Sequence, residues 1–222
     1  MFLKKIIFIF CLLFGISFLK AQTLNYYYGN LHSHSGYSDG NKDSLTSGAS
    51  KPSQNYAFAK LSLHFDFLGI SEHNHYSSNN NPGMIRTSYA LGLAQAAAAN
   101  TSTFLTLYGM EWGTSATPNG HVVVYGFNQL IGWEASTPGL AGPNYDIFNA
   151  QTDYDGLFKK VKNNPNAFCY LAHPYKNDYN YLALNSYNAA YDSAIVSSPF
   201  RNGLAFSTVI TYTDYPLSNY FD

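Results

Sequence analysis

Short apolar runs that meet a histidine or a carboxylate at their ends constrain this chain more than any other feature. Six such runs read as buried strands: Tyr26–Leu31, Phe65–Ile70, Phe104–Met110, Val122–Phe127, Phe168–Leu171 and Leu204–Ile210. Helical patterns lie between several of them. Ser53–Leu63 begins at a capping-type serine after Pro52, and Met84–Ala99 is alanine-rich. Tyr154–Asn163 sets Leu157, Phe158 and Val161 on one face and Lys159, Lys160 and Lys162 mostly on the other. Strands alternating with helices predict an α/β architecture with much parallel pairing. The polar stretch Ser77–Gly83 is expected to be a loop. Asn128–Ala150, rich in Gly, Pro and Asn, is expected to be a long loop over one end of the sheet or barrel.

The seven histidines are His32, His34, His64, His73, His75, His121 and His173, and only His64 clearly precedes a run. In a parallel sheet the C-terminal strand ends converge on one face, where sites are built. Imidazoles from several strands suit a divalent transition metal, and carboxylates among them neutralise charge and bridge ions. In His32-Ser33-His34, alternate residues can point both rings at one ion. Asp39 follows in Tyr37-Ser38-Asp39-Gly40, which also reads as an ordinary Asp-Gly turn. Next, Asp66–Ile70 runs through Ser71 into Glu72-His73-Asn74-His75. Glu111 closes another run, and burying that charge calls for a cationic partner. Gly120-His121 opens the next strand, and Ala172-His173-Pro174 ends the one after.

Several functions are disfavoured by composition. The formal charge is −1 and only 11% of residues are charged, so no basic surface invites nucleic acid. Twenty tyrosines and an aromatic content of 17% supply a core, and the surface is made polar by amides and hydroxyls. Lys4 and Lys5 precede an apolar stretch, Ile6–Phe18, that is too short to span a membrane. Residues 1–21 are therefore expected to be a cleaved export signal, leaving 22–222 as one domain with no membrane segment. Cys11 follows the bulky Phe10, which argues against lipidation there. After cleavage Cys169 is the only thiol, and its apolar neighbours predict a buried small hydrophobe rather than a nucleophile.

The ordered set His-x-His, acid-His, strand-end Glu, Gly-His and Ala-His-Pro resembles the PHP (polymerase and histidinol phosphatase) superfamily of metallohydrolases. The resemblance runs from about Gly29 to Pro174, and the export signal brings it closest to the secreted branch similar to carbaryl hydrolase. It implies a distorted (β/α)7 barrel with two or three divalent ions (Zn, Mn or Fe) at the C-terminal strand ends. By that resemblance His32 and His34 hold a first metal, Glu111 bridges first and second, and His121 and His173 complete the second. Asp39 and His73 belong to a third. Glu72 stands where the family more often has Asp and is given at most an outer role. His75 is read as a loop hydrogen-bonding residue or a substrate contact, and His64 as structural. The family closes its site with a further Asp and His, but no histidine follows His173. The domain is therefore expected to be truncated at its C-terminus, with a degenerate homologue as the other reading.

Two adjacent cations lower the pKa of a bridging water, so the first functional reading is phosphoester hydrolysis by a metal-bridged hydroxide. Glu111, His73 and Lys176 are its expected catalytic residues. Of the scarce cations Arg86, Lys176 and Arg201, Lys176 lies closest in sequence to a ligand, His173. The same hydroxide would serve amide, carbamate or ester hydrolysis, which the scarcity of basic residues keeps open. A third reading is a secreted binding module without turnover. An amidohydrolase or metallo-β-lactamase assignment fits the histidine spacing less well, and no Gly-x-Ser-x-Gly elbow is present.

Overall fold

The computed structural model describes residues 24–40, 49–75, 86–114, 119–136, 141–174, 177–182, 187–198, 201–203 and 210–212. The expected export signal, the Ser77–Gly83 loop, Lys176 and residues 204–209 of the sixth expected strand lie outside them. Among the described residues ten strands are present: β1 (Gly29–Asn30), β2 (Phe67–His73), β3 (Leu105–Trp112), β4 (His121–Tyr125), β5 (Ile131–Gly132), β6 (Ile147–Phe148), β7 (Phe168–Ala172), β8 (Ile195–Ser197), β9 (Arg201–Gly203) and β10 (Ile210–Tyr212). The helices are α1 (Pro52–Leu61), α2 (Arg86–Ala99), α3 (Tyr154–Asn163) and the single turn α4 (Ala189–Asp192). A further turn at Asp178–Tyr181 takes left-handed φ values at Tyr179, Asn180 and Tyr181. Among the described residues no helix is long and apolar enough to cross a membrane.

The architecture is mixed α/β, built on a curled six-stranded half-barrel sheet of order β1-β2-β3-β4-β7-β8. Pairing is parallel except on both sides of β4. The segment expected to be one long loop, 128–150, instead contains β5 and β6, which pair in parallel. Leu130 and Ile131 anchor it because they are fully buried, a run too short for periodicity to reveal.

Two apolar clusters follow from alternation along the strands. Leu68, Ile70, Met110, Trp112, Val122, Val124, Cys169 and Leu171 face the helices, meeting Tyr56 of α1, Tyr89 of α2 and Leu157, Phe158 and Val161 of α3. Val123, Tyr125, Tyr170 and Ala172 form the second cluster on the inner face of the curl. There the hydroxyls of Tyr125 and Tyr170 both donate to the Leu31 carbonyl, at 2.6 and 2.5 Å, which draws the β1 end over the curl. Gly69 and Gly109 make room for the Tyr125 ring, which a Cβ at either position would overlap.

The helices begin where local chemistry starts them. Pro52 occupies the first turn of α1, and the Gln54 side chain accepts from the Lys51 N–H at 3.0 Å. Lys51, not the expected Ser53, is therefore the N-cap. Asp153 caps α3 by accepting from the Gly156 N–H at 2.8 Å.

Candidate metal centre

Strand register delivers the first two members of the centre. β2 and β3 run parallel with His73 beside Glu111 and Glu72 beside Met110. Because side chains alternate, His73 and Glu111 share the inner face while Glu72 points to the helix side. His121 opens its strand rather than ending it. β4 runs antiparallel to both neighbours, so its first residue lies at the same sheet end as the last residues of β3 and β7. His121 pairs with Ala172, one residue before His173. His173 itself has left extended geometry, with φ at 32°, an uncommon backbone for a non-glycine residue. Tyr154 and Tyr179 hold this corner. The Tyr154 hydroxyl bonds both the N–H and the carbonyl of Gly120, and the Tyr179 hydroxyl contacts the carbonyls of His121 and Ala172.

His32 and His34 follow β1 rather than lying within it. Ser33 extends the alignment, accepting from the Ser71 N–H at 2.9 Å and donating its hydroxyl to the Gly69 carbonyl at 2.8 Å. The chain then turns at Ser35–Gly40, with the Ser35 carbonyl accepting from the N–H groups of Ser38 and Gly40. A Cβ on Gly40 would overlap the His34 backbone, so glycine permits the close approach that brings Asp39 to the His34 ring.

Five imidazoles surround the carboxylate of Glu111, which is 1% exposed. Oε1 lies 3.3 Å from His32 Nε2, 2.9 Å from His121 Nδ1 and 3.0 Å from His173 Nε2. Oε2 lies 3.1 Å from His34 Nε2 and 3.1 Å from His73 Nδ1. The ring nitrogens also crowd each other, at 3.2 Å between His32 and His34 and 3.1 Å between His121 and His173. Asp39 Oδ1 lies 3.2 Å from His34 Nδ1 and 3.8 Å from His73 Nε2. His173, Asp39 and His32 are the most exposed members, so the centre opens on their side.

Charge is shared unequally within this group. Burial alone would raise the Glu111 pKa. The charges of His32 and His121 and the hydrogen bonds from His121 and His173 outweigh it and hold the carboxyl well below its ordinary range. Burial opposes charge on His34 too, yet the hydrogen bond to Glu111 and the charges of Glu111, Glu72 and Asp39 raise it to about 9. His173 is likewise raised against burial, mainly by Glu111. His73 goes the other way. Burial dominates there, Glu111 opposes, and the neighbouring histidines reinforce burial, bringing it down to about 3.

Glu72, fully buried, accepts from the Ser35 N–H at 3.0 Å and from the hydroxyls of Ser35 and Ser38. Asn74 ties three segments together: its amide donates to the Ile131 carbonyl, its oxygen accepts from Gly113, and its N–H reaches the Glu111 carbonyl. His75 stacks on Trp133 with ring centroids 5.6 Å apart. His64 is exposed in the turn before β2, at the opposite end of that strand from His73, with φ at 53°. Arg86 is half-buried and donates to the Ala141 carbonyl. Asp178 is buried, and its charge helps raise His173. Cys169 is a buried free thiol whose pKa burial pushes up. Ser35, Ser38 and Trp133 were not singled out in the sequence; Trp133 lies inside the stretch expected to be a long loop over one end of the sheet or barrel.

The donor set fits divalent metal ions. Among the described residues, ligand atoms come within 4.8 Å of one another in four groups: His32, His34 and Glu111; Glu111, His121 and His173; His34, Asp39 and His73; and His73, His75 and His121. His73 Nδ1 is buried without a hydrogen-bond partner although Glu111 Oε2 is 3.1 Å away, as suits a nitrogen aimed at an ion. Neutral imidazole is also the form that ligates. No protein-family model, curated protein or solved structure matches the chain.

Proposed function

We propose that this chain is an exported metal-dependent hydrolase of the PHP kind, acting on phosphoesters. The observation that carries this reading is the ring of five imidazole nitrogens, 2.9–3.3 Å from the two oxygens of buried Glu111. A fully buried carboxylate so surrounded is costly to build for stability alone, since apolar residues of similar volume pack as well or better. The curled sheet, with all these groups at one end, is in keeping with the (β/α)7 barrel that the sequence resemblance implies.

In this reading His32, His34 and Glu111 hold one ion and Glu111, His121 and His173 a second, with Asp39 and His73 available to a third. Zn, Mn and Fe all suit such ligands. Bound ions of this kind supply a water that deprotonates near neutral pH and an electropositive anchor for an anionic oxygen. The chain's own groups do the remaining work. Glu111 offsets the positive charge, His73 is kept neutral by burial, and the Tyr154 and Tyr179 contacts fix the corner that carries His121 and His173. Substrate would enter past His32, Asp39 and His173, the exposed rim. Lys176, three residues beyond His173, is proposed as a phosphate contact on sequence grounds.

The test uses the full chain, purified and dialysed, with metal content measured by elemental analysis beside hydrolysis of an aryl phosphate, an aryl ester and an aryl carbamate. Stoichiometric Zn, Mn or Fe, with phosphate release stopped by a chelator, is expected. Cleavage of only the ester or carbamate would move the substrate class. Absence of bound metal, or activity surviving Glu111→Gln, would overturn the reading.

A further inference from the structure

Ser38 stands between the two buried glutamates. Its hydroxyl donates to Glu72 Oε2, and the same oxygen lies 3.1 Å from His34 Nδ1. His34 Nε2, on the far side of the ring, lies 3.1 Å from Glu111 Oε2 and 3.2 Å from His32 Nε2. Glu72 and Ser38 are both fully buried, so water does not compete for these bonds. The Ser35 N–H and the hydroxyls of Ser35 and Ser38 all donate to the two Glu72 oxygens, so Glu72 is the acceptor here, and a serine hydroxyl has one proton to give. With that proton committed to Glu72, the Ser38 oxygen presents lone pairs to His34, and Nδ1 must carry the hydrogen. The second acceptor near Nδ1, Asp39 Oδ1 at 3.2 Å, demands the same arrangement.

We infer that Glu72, acting through Ser38, is a positioning residue that keeps the proton of His34 on Nδ1 and leaves Nε2 as the nitrogen that faces a metal ion beside Glu111. This rests on the reading of the Glu111 cluster as a metal centre. Ordinarily a ligating histidine donates its second ring N–H directly to a carboxylate or carbonyl. Here alternation sends Glu72 to the helix side of the sheet, and the turn at Ser35–Gly40 supplies a hydroxyl that bridges the gap. Ser35 provides an internal comparison. It also donates to Glu72, through both its N–H and its hydroxyl, but its oxygen accepts from the Tyr37 N–H at 3.1 Å instead of facing a histidine ring.

The test compares Zn2+ binding by the wild-type full chain with Ser38→Ala and Ser35→Ala, using chelator competition, and follows the histidine ring nitrogens of the Zn-loaded protein by 15N NMR. The inference expects a protected Nδ1–H and a metal-shifted Nε2 for His34. Ser38→Ala should weaken Zn2+ binding by roughly 10- to 100-fold and expose Nδ1–H to exchange. Ser35→Ala, which removes a Glu72 donor of the same kind, should bind Zn2+ close to the wild-type value. Equal losses in both variants would reduce Glu72 to a packing role and overturn the relay. So would unchanged binding in Ser38→Ala, which would assign the His34 proton to Asp39. Failure of the wild-type chain to bind Zn2+, Mn2+ or Fe2+ would instead remove the metal centre itself.

Discussion

Glu72 and Glu111 each lie one residue before the end of neighbouring parallel strands, both almost wholly buried, and meet opposite surroundings. Glu111 faces the inner side of the curl and is ringed by nitrogens of five histidines. Glu72 faces the helix side and, among the described residues, accepts from serine N–H and O–H groups. Their pKa values part accordingly. Burial raises Glu72, opposed by His34 and the serine donors, whereas the imidazoles overcome burial and depress Glu111. One residue of strand phase separates a candidate ligand from its support. An acid near a strand end takes its role from the face its position selects.

The contrast is broken most severely at Glu111. Glu111→Gln should weaken metal binding by about 10²–10⁴-fold, in keeping with about 3–5 kcal/mol for breaking a buried charged pair; equilibrium dialysis checks it. The matching change at Glu72 should act on folding first. Glu72→Gln presents an amide donor to serine donors and should cost about 1–3 kcal/mol of stability, read by urea denaturation. Its metal stoichiometry should be unchanged even where affinity falls.

How much of this was legible in the sequence depends on the range of the interaction concerned. The runs before His73, Glu111 and His173 announced strand ends, because a buried strand needs continuous apolar residues and its end is abrupt. Alternation alone separates Glu72 from His73 once the strand is recognised. The antiparallel course of β4 was not readable, since nothing local fixes the direction in which a strand is inserted. Yet that course is what brings His121, at the start of its strand, to the others. Ser35 and Ser38 look like ordinary turn residues, and their bonds to Glu72 span 37 and 34 positions. Trp133 was hidden in a stretch whose strands, β5 and β6, have two residues each.

Acid–base behaviour sharpens the comparison further. In the metal-free protein the depressed Glu111 pKa contributes stability above the ordinary carboxylate range and loses it as pH falls through the lowered value. His34, raised from 6.5 to about 9, contributes stability fully below pH 6.5 and loses it as pH rises through about 9. Thermal melts of the metal-free chain should therefore decline on both flanks. Added Zn2+ should flatten the alkaline one, because the ion replaces the His34 Nε2 proton. The smallest effect is expected at His75→Ala, which removes the Trp133 stack and should leave ion content intact by elemental analysis.

Anomalous X-ray scattering at the Zn, Mn and Fe absorption edges, from crystals of the full chain, tests the contrast between the two glutamates most directly. Peaks about 2.0–2.2 Å from the Glu111 oxygens and the surrounding histidine nitrogens, with none beside Glu72, are the predicted result. No peak at Glu111 in crystals grown with all three metals, or a peak in the Ser35–Ser38 cradle of Glu72, would contradict it.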